Sequence, residues 1–181
     1  MKKWKIVKIC TTVFLILFII RLIIDAIMCM KMTYPHPMLG IDANNWTIVF
    51  VDWCQEFVGD CIISCDKEQL SELNDEDWKE LGKLEKELER VCKKLFDATM
   101  FNFACLMNNA YRDNEKPHVH FHFIPRYKNE LKIFNKIYKD KHFGYNFWKW
   151  SLSKFKSQKD IFTKEERSNI YQMMKEEFNY K

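Results

Sequence analysis

Several short apolar runs after residue 45 are typical of β-strands, and apolar and polar positions alternate strictly in one of them, the histidine-containing run. The runs are rich in β-branched and aromatic residues, which suit a half-buried pleated surface. They comprise Trp46–Trp53, Cys61–Cys65, Met100–Asn108 and a histidine-containing run between Pro117 and Pro125. Gly59 predicts a tight turn between the first two strands. Residues 131–138 form either a fifth strand or an irregular segment.

A helical period follows the second strand. Between Trp78 and Leu95 the apolar residues recur every three or four positions, which predicts one long helix with a core-facing stripe. Asn74 is a good N-cap for it, and the acidic residues that follow suit the positive end of the helix dipole. Thr163 predicts the cap of a last helix over about residues 164–178. Strands with a helix between them indicate an α+β fold with an antiparallel sheet of about five strands.

The first 30 residues predict a membrane anchor. A basic flank precedes an unbroken run from Ile9 to Ile20, and Arg21 and Asp25 interrupt the apolar residues only later. A charge at the bilayer centre costs about 2.5–3.5 kcal/mol, which the apolar residues nearly offset. Arg21 and Asp25 can also pair one helical turn apart. We therefore expect a transmembrane helix over about residues 6–28 and a single-pass membrane protein.

Other interpretations of this segment stay open. No small-residue cleavage site precedes Met32, which weighs against a signal peptide. Translation from Met28, Met30 or Met32 would omit the segment and leave the protein in the cytoplasm. The positive-inside rule places the domain outside, whereas free thiols favour a reducing compartment. The expected organisation is an anchor over 1–30, a linker over 31–45, a core domain over 46–127 and a basic C-terminal extension with the last helix over 128–181.

Composition narrows the class of protein. The 181 residues suffice for one domain with a sizeable core, and only four glycines and four prolines exclude collagen-like and low-complexity chains. The seven cysteines contain no CxxC pair, so a disulfide framework or zinc ribbon is not indicated. Lysines concentrate after Arg126, and such a segment either binds RNA or forms a solvated face. The aromatic residues that could stack on RNA bases are Tyr127, Tyr138, Trp148 and Trp150.

The candidate chemistry lies in the sequence HVHFHFIP. His118, His120 and His122 are spaced two apart, so on a strand all three imidazoles face the same side. An ordinary polar face would carry Ser, Thr, Lys or Glu, and three imidazoles indicate a site instead. A single zinc ion is the competing interpretation, but the outer two histidines lie about 13 Å apart along a strand. Zn–N bonds of about 2.0–2.1 Å cannot bring all three to one ion.

This sequence resembles the signature of the histidine triad (HIT) family, in which three histidines alternate with apolar residues. The order of strand, Gly59 turn, strand, acid-capped helix, strand, loop and histidine strand is similar to the family's order over about residues 46–147. The runs FNFACLMNNAY and PHVHFHFIPRY are similar to microbial members that hydrolyse diadenosine polyphosphates. The resemblance implies a homodimeric hydrolase or nucleotidyl transferase that acts on dinucleoside polyphosphates or nucleoside phosphoramidates.

The resemblance also implies roles for individual residues. His120 would be the nucleophile that forms a nucleotidyl-histidine intermediate, oriented by the main-chain carbonyl of His118. An imidazole has a reference pKa of about 6.5, so its neutral form can attack phosphorus near pH 7 without a separate base. His122 would contact the phosphate and the leaving group. The positions that match nucleotide-binding residues of the family are Asn108, Asn109 and Asp52.

One position departs from the family's pattern. Many members carry His or Arg after the glycine of the first turn, whereas this chain has Asp60. A carboxylate there repels a phosphate unless a cation pairs with it, so a catalytically impaired nucleotide-binding module is the alternative function. No carboxylate cluster marks a metal site, so no cofactor is expected; a divalent cation would enter only together with a polyphosphate substrate.

Overall fold

A four-stranded antiparallel sheet forms the centre of the molecule. The computed structural model describes residues 45–145 and 159–179. In space the strands follow the order β1–β2–β4–β3, so the histidine strand β4 lies between two neighbours. The strand bounds are β1 Thr47–Phe50, β2 Cys61–Ser64, β3 Met100–Ala104 and β4 His120–Arg126. The α+β class and the antiparallel sheet are as the sequence predicts.

The two faces of this sheet differ because the side chains alternate along each strand. One face carries Phe50, Ile63 and Phe123, all with no solvent exposure, and it packs on the long helix. The other face carries the half-buried positions, including Ile62, Ser64 and the histidines of β4. The core therefore lies on one side of the sheet and leaves the histidine face available to a ligand.

The long helix α1, Asp75–Phe96, begins at the predicted cap. Asn74 accepts a hydrogen bond from the N–H of Asp77, and the Asp77 carboxylate accepts one from the N–H of Asn74, which completes a capping box. The same carboxylate pairs with Lys67 and accepts a hydrogen bond from Asn45. The predicted stripe is buried at Leu81, Leu84, Leu88 and Val91, whereas Trp78 is 44% exposed.

The first and third strands end earlier than predicted, at Phe50 and Ala104, and residues 131–138 also differ from the prediction. β3 ends at Ala104, since Met107 adopts a left-handed conformation and starts a short helix α2, Asn108–Asp113, where a polar loop was expected. Residues 131–138 do not add a fifth strand to the sheet. Phe134 and Asn135 both have positive φ, the geometry of a two-residue hairpin turn, so the segment folds back as β5 Leu131–Ile133 and β6 Lys136–Tyr138.

The C-terminal segment packs on the same core. Thr163 caps helix α3, Lys164–Glu177, through a second capping box, as predicted. Ile170 and Met174 of this helix are fully buried, and Tyr138 joins them in the core. Tyr127 and Tyr138 are therefore not available to stack on RNA bases, and Trp148 and Trp150 lie outside the described residues.

The expected single-pass membrane localisation is corrected by the structure. No helix within residues 45–145 and 159–179 is long and apolar enough to cross a membrane. The predicted anchor over residues 1–30 lies outside the described residues. The sequence balance behind that expectation was narrow, because Arg21 and Asp25 cancel most of the gain from the apolar run.

Candidate active site

The pairing of β4 with both neighbours determines what surrounds the histidines. Ser64 of β2 lies opposite His120, and Ile62 lies opposite His122. On the other side Ala104 of β3 also lies opposite His122. Directly opposed residues of an antiparallel pair project on the same face. The histidine face is therefore lined by small or apolar neighbours, which leave the imidazoles room to contact a ligand.

His118, His120 and His122 form a row of rings, here called the histidine row. The ring centres of His118 and His120 are 4.9 Å apart, and those of His120 and His122 are 5.4 Å apart. His118 is exposed and precedes the first residue of β4, while the other two rings are half-buried. This spacing presents three separate imidazoles to an extended group such as a phosphate with its substituents.

The middle imidazole is held by the backbone. Nδ1 of His120 lies 3.1 Å from the main-chain oxygen of His118. A carbonyl oxygen only accepts, so Nδ1 must carry the proton and donate it. In a neutral imidazole Nε2 is then unprotonated and has a free lone pair. The contact is the one that the family resemblance implies for the nucleophile.

The third imidazole stays neutral. Burial lowers the pKa of His122 below its ordinary value, and the neighbouring His120 lowers it further. A second positive charge beside a protonated His120 is thus disfavoured. At neutral pH His122 presents one N–H donor and one acceptor nitrogen to a ligand.

Two cysteines near the row do not compete as nucleophiles. The sulfur of Cys105 accepts a hydrogen bond from the backbone N–H of His120, yet burial raises the pKa of the Cys105 thiol overall. Burial likewise raises the pKa of Cys54, close to His122. The reactive form of cysteine is the thiolate, which both sites disfavour at neutral pH.

A cavity of about 270 Å³ opens beside His122, and we call it the His122 cavity. Ile62 of β2 and Ile124 of β4 form part of its apolar wall, and the segment that joins β1 to β2 supplies further apolar residues and the acidic wall. The lining residues are Val51, Trp53, Cys54, Glu56, Phe57, Asp60, Ile62, His122 and Ile124. The histidine row thus borders a space large enough for one part of a substrate.

Asp60, the position that departs from the family's pattern, lies in this cavity. Its carboxyl oxygen Oδ1 is buried and has no hydrogen-bond partner among the described residues. Burial raises the pKa of Asp60 well above its ordinary value, and Glu56 raises it further, while a hydrogen bond from the Cys61 N–H opposes the shift. Asp60 follows the turn at Gly59, and it belongs to the lining of the His122 cavity.

The other predicted site residues are Asp52, Asn108 and Asn109. Asp52 follows β1 between two lining residues of the cavity but is not among the lining residues themselves. Its main-chain oxygen accepts a hydrogen bond of 2.7 Å from Arg167 of helix α3. Asn108 and Asn109 open helix α2, and their side chains lie outside the described part of the structure. Their predicted contacts with a nucleotide stay predictions.

Sequence reasoning missed the neighbours of the row. The alternation in β2 could have placed Ser64 and Ile62 on the histidine face, but their register against β4 follows only from the sheet. Glu56 and Trp53 carry no pattern that marks them as cavity residues.

Within residues 45–145 and 159–179, no group of three or more His, Cys, Asp or Glu side chains is placed to hold a metal ion.

The fold and the site together define an α+β protein with a histidine row on an antiparallel sheet, and the comparisons with known proteins agree. Residues 61–129 match the family profile named HIT domain. No curated protein matches the sequence. A solved hypothetical histidine triad nucleotide-binding protein from Sulfolobus tokodaii is 16% identical with a TM-score of 0.53, covering 82% of this chain and 87% of that chain.

A second solved structure supports the same fold. A histidine triad protein from Bradyrhizobium japonicum is 12% identical with a TM-score of 0.52, covering 79% of this chain and 90% of that chain. Identities this low show the fold alone. The matched profile covers residues 61–129, and the fold of these neighbours agrees with it.

Proposed function

We propose that this protein hydrolyses a nucleotide conjugate through a covalent nucleotidyl-histidine intermediate on His120. The observation that carries the proposal is the hydrogen bond between His120 Nδ1 and the His118 main-chain oxygen. It directs the proton to Nδ1 and frees Nε2 for attack, which is the requirement for a histidine nucleophile. The substrates considered are nucleoside phosphoramidates and dinucleoside polyphosphates.

The reaction has two steps. Nε2 of His120 attacks the phosphorus next to the nucleoside, the bond to the leaving group breaks, and the leaving atom takes a proton. Water then attacks the same phosphorus, the Nε2–P bond breaks, and a nucleoside monophosphate leaves. Neutral His122, 5.4 Å from His120 between ring centres, donates a hydrogen bond to a phosphoryl oxygen during both steps. Fixed donors at developing charge supply a large part of such rate enhancements.

The remaining predicted residues complete the proposal. Asn108 and Asn109 would contact the phosphate or the leaving group from the start of α2, and Asp52 would contact the ribose. The exposed His118 would polarise the outer end of the row. A homodimer belongs to the same proposal, since the family resemblance implies one.

The test uses the full chain with an adenosine phosphoramidate and diadenosine tetraphosphate, following release of nucleoside monophosphate. We expect His120→Gly to lower kcat by at least about 10³-fold, because the attacking atom is lost. Added imidazole should restore part of the rate in this variant, which a purely structural defect would not allow. His142→Ala removes a histidine outside the row and should retain turnover.

The catalytically impaired binding module makes the opposite prediction. It is favoured by Asp60, whose carboxyl lines the His122 cavity and would repel a polyphosphate when ionised. In that case the wild type binds nucleotide but releases no monophosphate from either substrate, and His120→Gly changes nothing. That result would overturn hydrolysis as the function.

A further inference from the structure

The His122 cavity has an uncommon charge pattern for a site next to a phosphate. Two carboxyl groups, those of Glu56 and Asp60, line it, and no lysine or arginine is among its lining residues. The guanidinium of Arg126 lies 5.0 Å from the ring centre of Phe57, but it is paired with the buried Asp140. The cavity therefore holds acidic groups without a cation of its own.

One carboxyl oxygen of the acidic wall lacks a hydrogen-bond partner among the described residues. Oδ1 of Asp60 is buried with no hydrogen-bond partner among the described residues, and a buried acceptor of this kind is costly to leave unpaired. Burial also raises the pKa of Glu56, as does the nearby Asp160. Asp160 itself is held by Arg167, at 2.9 Å, so that arginine is already paired. A ligand that brings positive charge and N–H donors would compensate both carboxyl groups.

The chemistry of the wall favours a cationic occupant over an anionic one. A second phosphate in this cavity would meet Asp60 and Glu56, whose ionised forms would repel it in a partly buried environment. A metal ion is not favoured either, since no group of three or more His, Cys, Asp or Glu side chains among the described residues is placed to ligate one. A protonated amine fits both the carboxyl groups and the exposed indole of Trp53, since aromatic faces attract ammonium groups.

The position of the cavity shows which part of the substrate enters it. His122 belongs to the cavity lining and also to the histidine row, with its ring 5.4 Å from that of His120. A group in the cavity is thus only a few bonds away from a phosphorus held at Nε2 of His120. The apolar lining from Val51, Ile62 and Ile124 suits a short aliphatic chain between the two.

We infer that the His122 cavity is a subsite for a protonated amine carried by the leaving group, with Asp60 and Glu56 as its specificity-determining residues. The inference rests on the proposed function and narrows its substrate to a nucleoside phosphoramidate whose amine leaving group bears a second, positively charged nitrogen. In the reaction the P–N bond breaks and the departing nitrogen takes a proton. The second ammonium stays in the cavity and does not react.

The test compares three adenosine 5′-phosphoramidates of equal length, made from 1,4-diaminobutane, butylamine and 4-aminobutyrate. With the wild-type full chain, kcat/KM for the cationic substrate should exceed that for the neutral one at least tenfold, and the anionic one should be slowest. Asp60→Asn and Glu56→Gln should each lower the cationic-to-neutral ratio at least threefold. Asp66→Asn removes an exposed carboxylate elsewhere and should leave that ratio unchanged.

A binding measurement separates this inference from catalysis. In the background of His120→Ala, calorimetry should show at least tenfold tighter binding of the cationic than of the neutral phosphoramidate, and Asp60→Asn should remove the difference. Equal binding of the two overturns the subsite, even if wild-type turnover is observed. Selective binding without wild-type turnover of any substrate upholds the subsite and overturns the hydrolase.

Discussion

Asp60 and Gly59 show how single residues shape the entrance to the second strand. Gly59 has a φ of +86°, and a Cβ there would lie 2.9 Å from the sulfur of Cys92. Only glycine combines this conformation with so close an approach to the core. The turn therefore directs the next side chain, Asp60, into its buried position by geometry that no other residue at 59 would reproduce.

The Asp60 carboxyl should make stability depend on pH. Because its pKa is raised in the folded state, the unfolded chain ionises first as pH rises above about 4. The folded protein then binds more protons than the unfolded one, so stability is lost with increasing pH until the folded carboxyl also ionises. Asp60→Asn removes this dependence.

Thermal unfolding between pH 4 and pH 7 checks this prediction. We expect the melting temperature of Asp60→Asn to exceed that of the wild type by about 2–5 °C at pH 7, and by less at pH 4. Asp66→Asn, an exposed carboxylate, serves as the matched control and should follow the wild type. A constant difference at every pH would show that the ionisation of Asp60 is not its cause.

At the scale of elements, the stability of helix α1 depends on the hydrogen bonds in its first turn. The capping box of Asn74 and Asp77 satisfies two backbone N–H groups that the helix leaves free. Hydrogen bonding from Lys67 lowers the pKa of Asp77, so this carboxylate stays ionised and keeps its contacts at neutral pH. The indole N–H of Trp46 also donates to the main-chain oxygen of Asp77, which links the helix start to the residue that precedes β1.

Asn74→Ala should destabilise the protein by about 0.5–2 kcal/mol, the usual cost of losing an N-cap. Urea unfolding followed by circular dichroism measures the change in the midpoint. Asn129→Ala, in an exposed loop, is the control for loss of an asparagine side chain and should be near neutral. Equal effects of the two substitutions would show that the cap contributes nothing.

Strand β4 extends further than its proline boundaries suggested. Pro125 lies inside the strand, opposite Phe101 of β3. Proline is tolerated there because β2 pairs with β4 only as far as Phe123, so the strand has a single neighbour at this point. Proline is thus confined to an edge position, as expected for a residue that cannot donate a backbone hydrogen bond. Which residues of β4 lie at an edge depends on where β2 ends.

At the scale of the whole molecule, one buried ion pair joins the sheet to the segment after β6. Arg126 at the end of β4 donates to both carboxylate oxygens of Asp140, at 2.7 and 3.1 Å, and also to Asn102 of β3 at 3.0 Å. Both charged side chains are almost fully buried, at 2% and 0% exposure. This ion pair therefore holds the segment after β6 against the sheet.

Asp140→Ala should destabilise the fold by about 3–5 kcal/mol, because it leaves the Arg126 guanidinium buried and unpaired. The change is measured as a lower midpoint of urea unfolding. Replacing both partners together, as in Arg126→Met with Asp140→Leu, should cost much less than the single change. Asp113→Ala, which breaks the exposed pair with Arg112, should have little effect.

The local sequence determined the strands, the helices and the shared face of the three histidines. Short apolar runs predicted the strands, and alternation predicted the shared face of His118, His120 and His122, because side chains on a strand alternate whatever its neighbours are. Helical spacing and the capping signals at Asn74 and Thr163 likewise predicted α1 and α3, since caps act within one turn. The match to the HIT domain family agrees with that local information.

The tertiary structure alone decided the surroundings of the row. The hairpin at residues 131–138 depends on left-handed conformations at Phe134 and Asn135; asparagine favours this conformation, but phenylalanine does not. The His122 cavity joins Asp60 and Glu56 to β4 across more than sixty positions of sequence, and the burial that changes their ionisation exists only once the strands pair. Local sequence thus specifies which groups share a face, whereas long-range packing determines their neighbours and their charge.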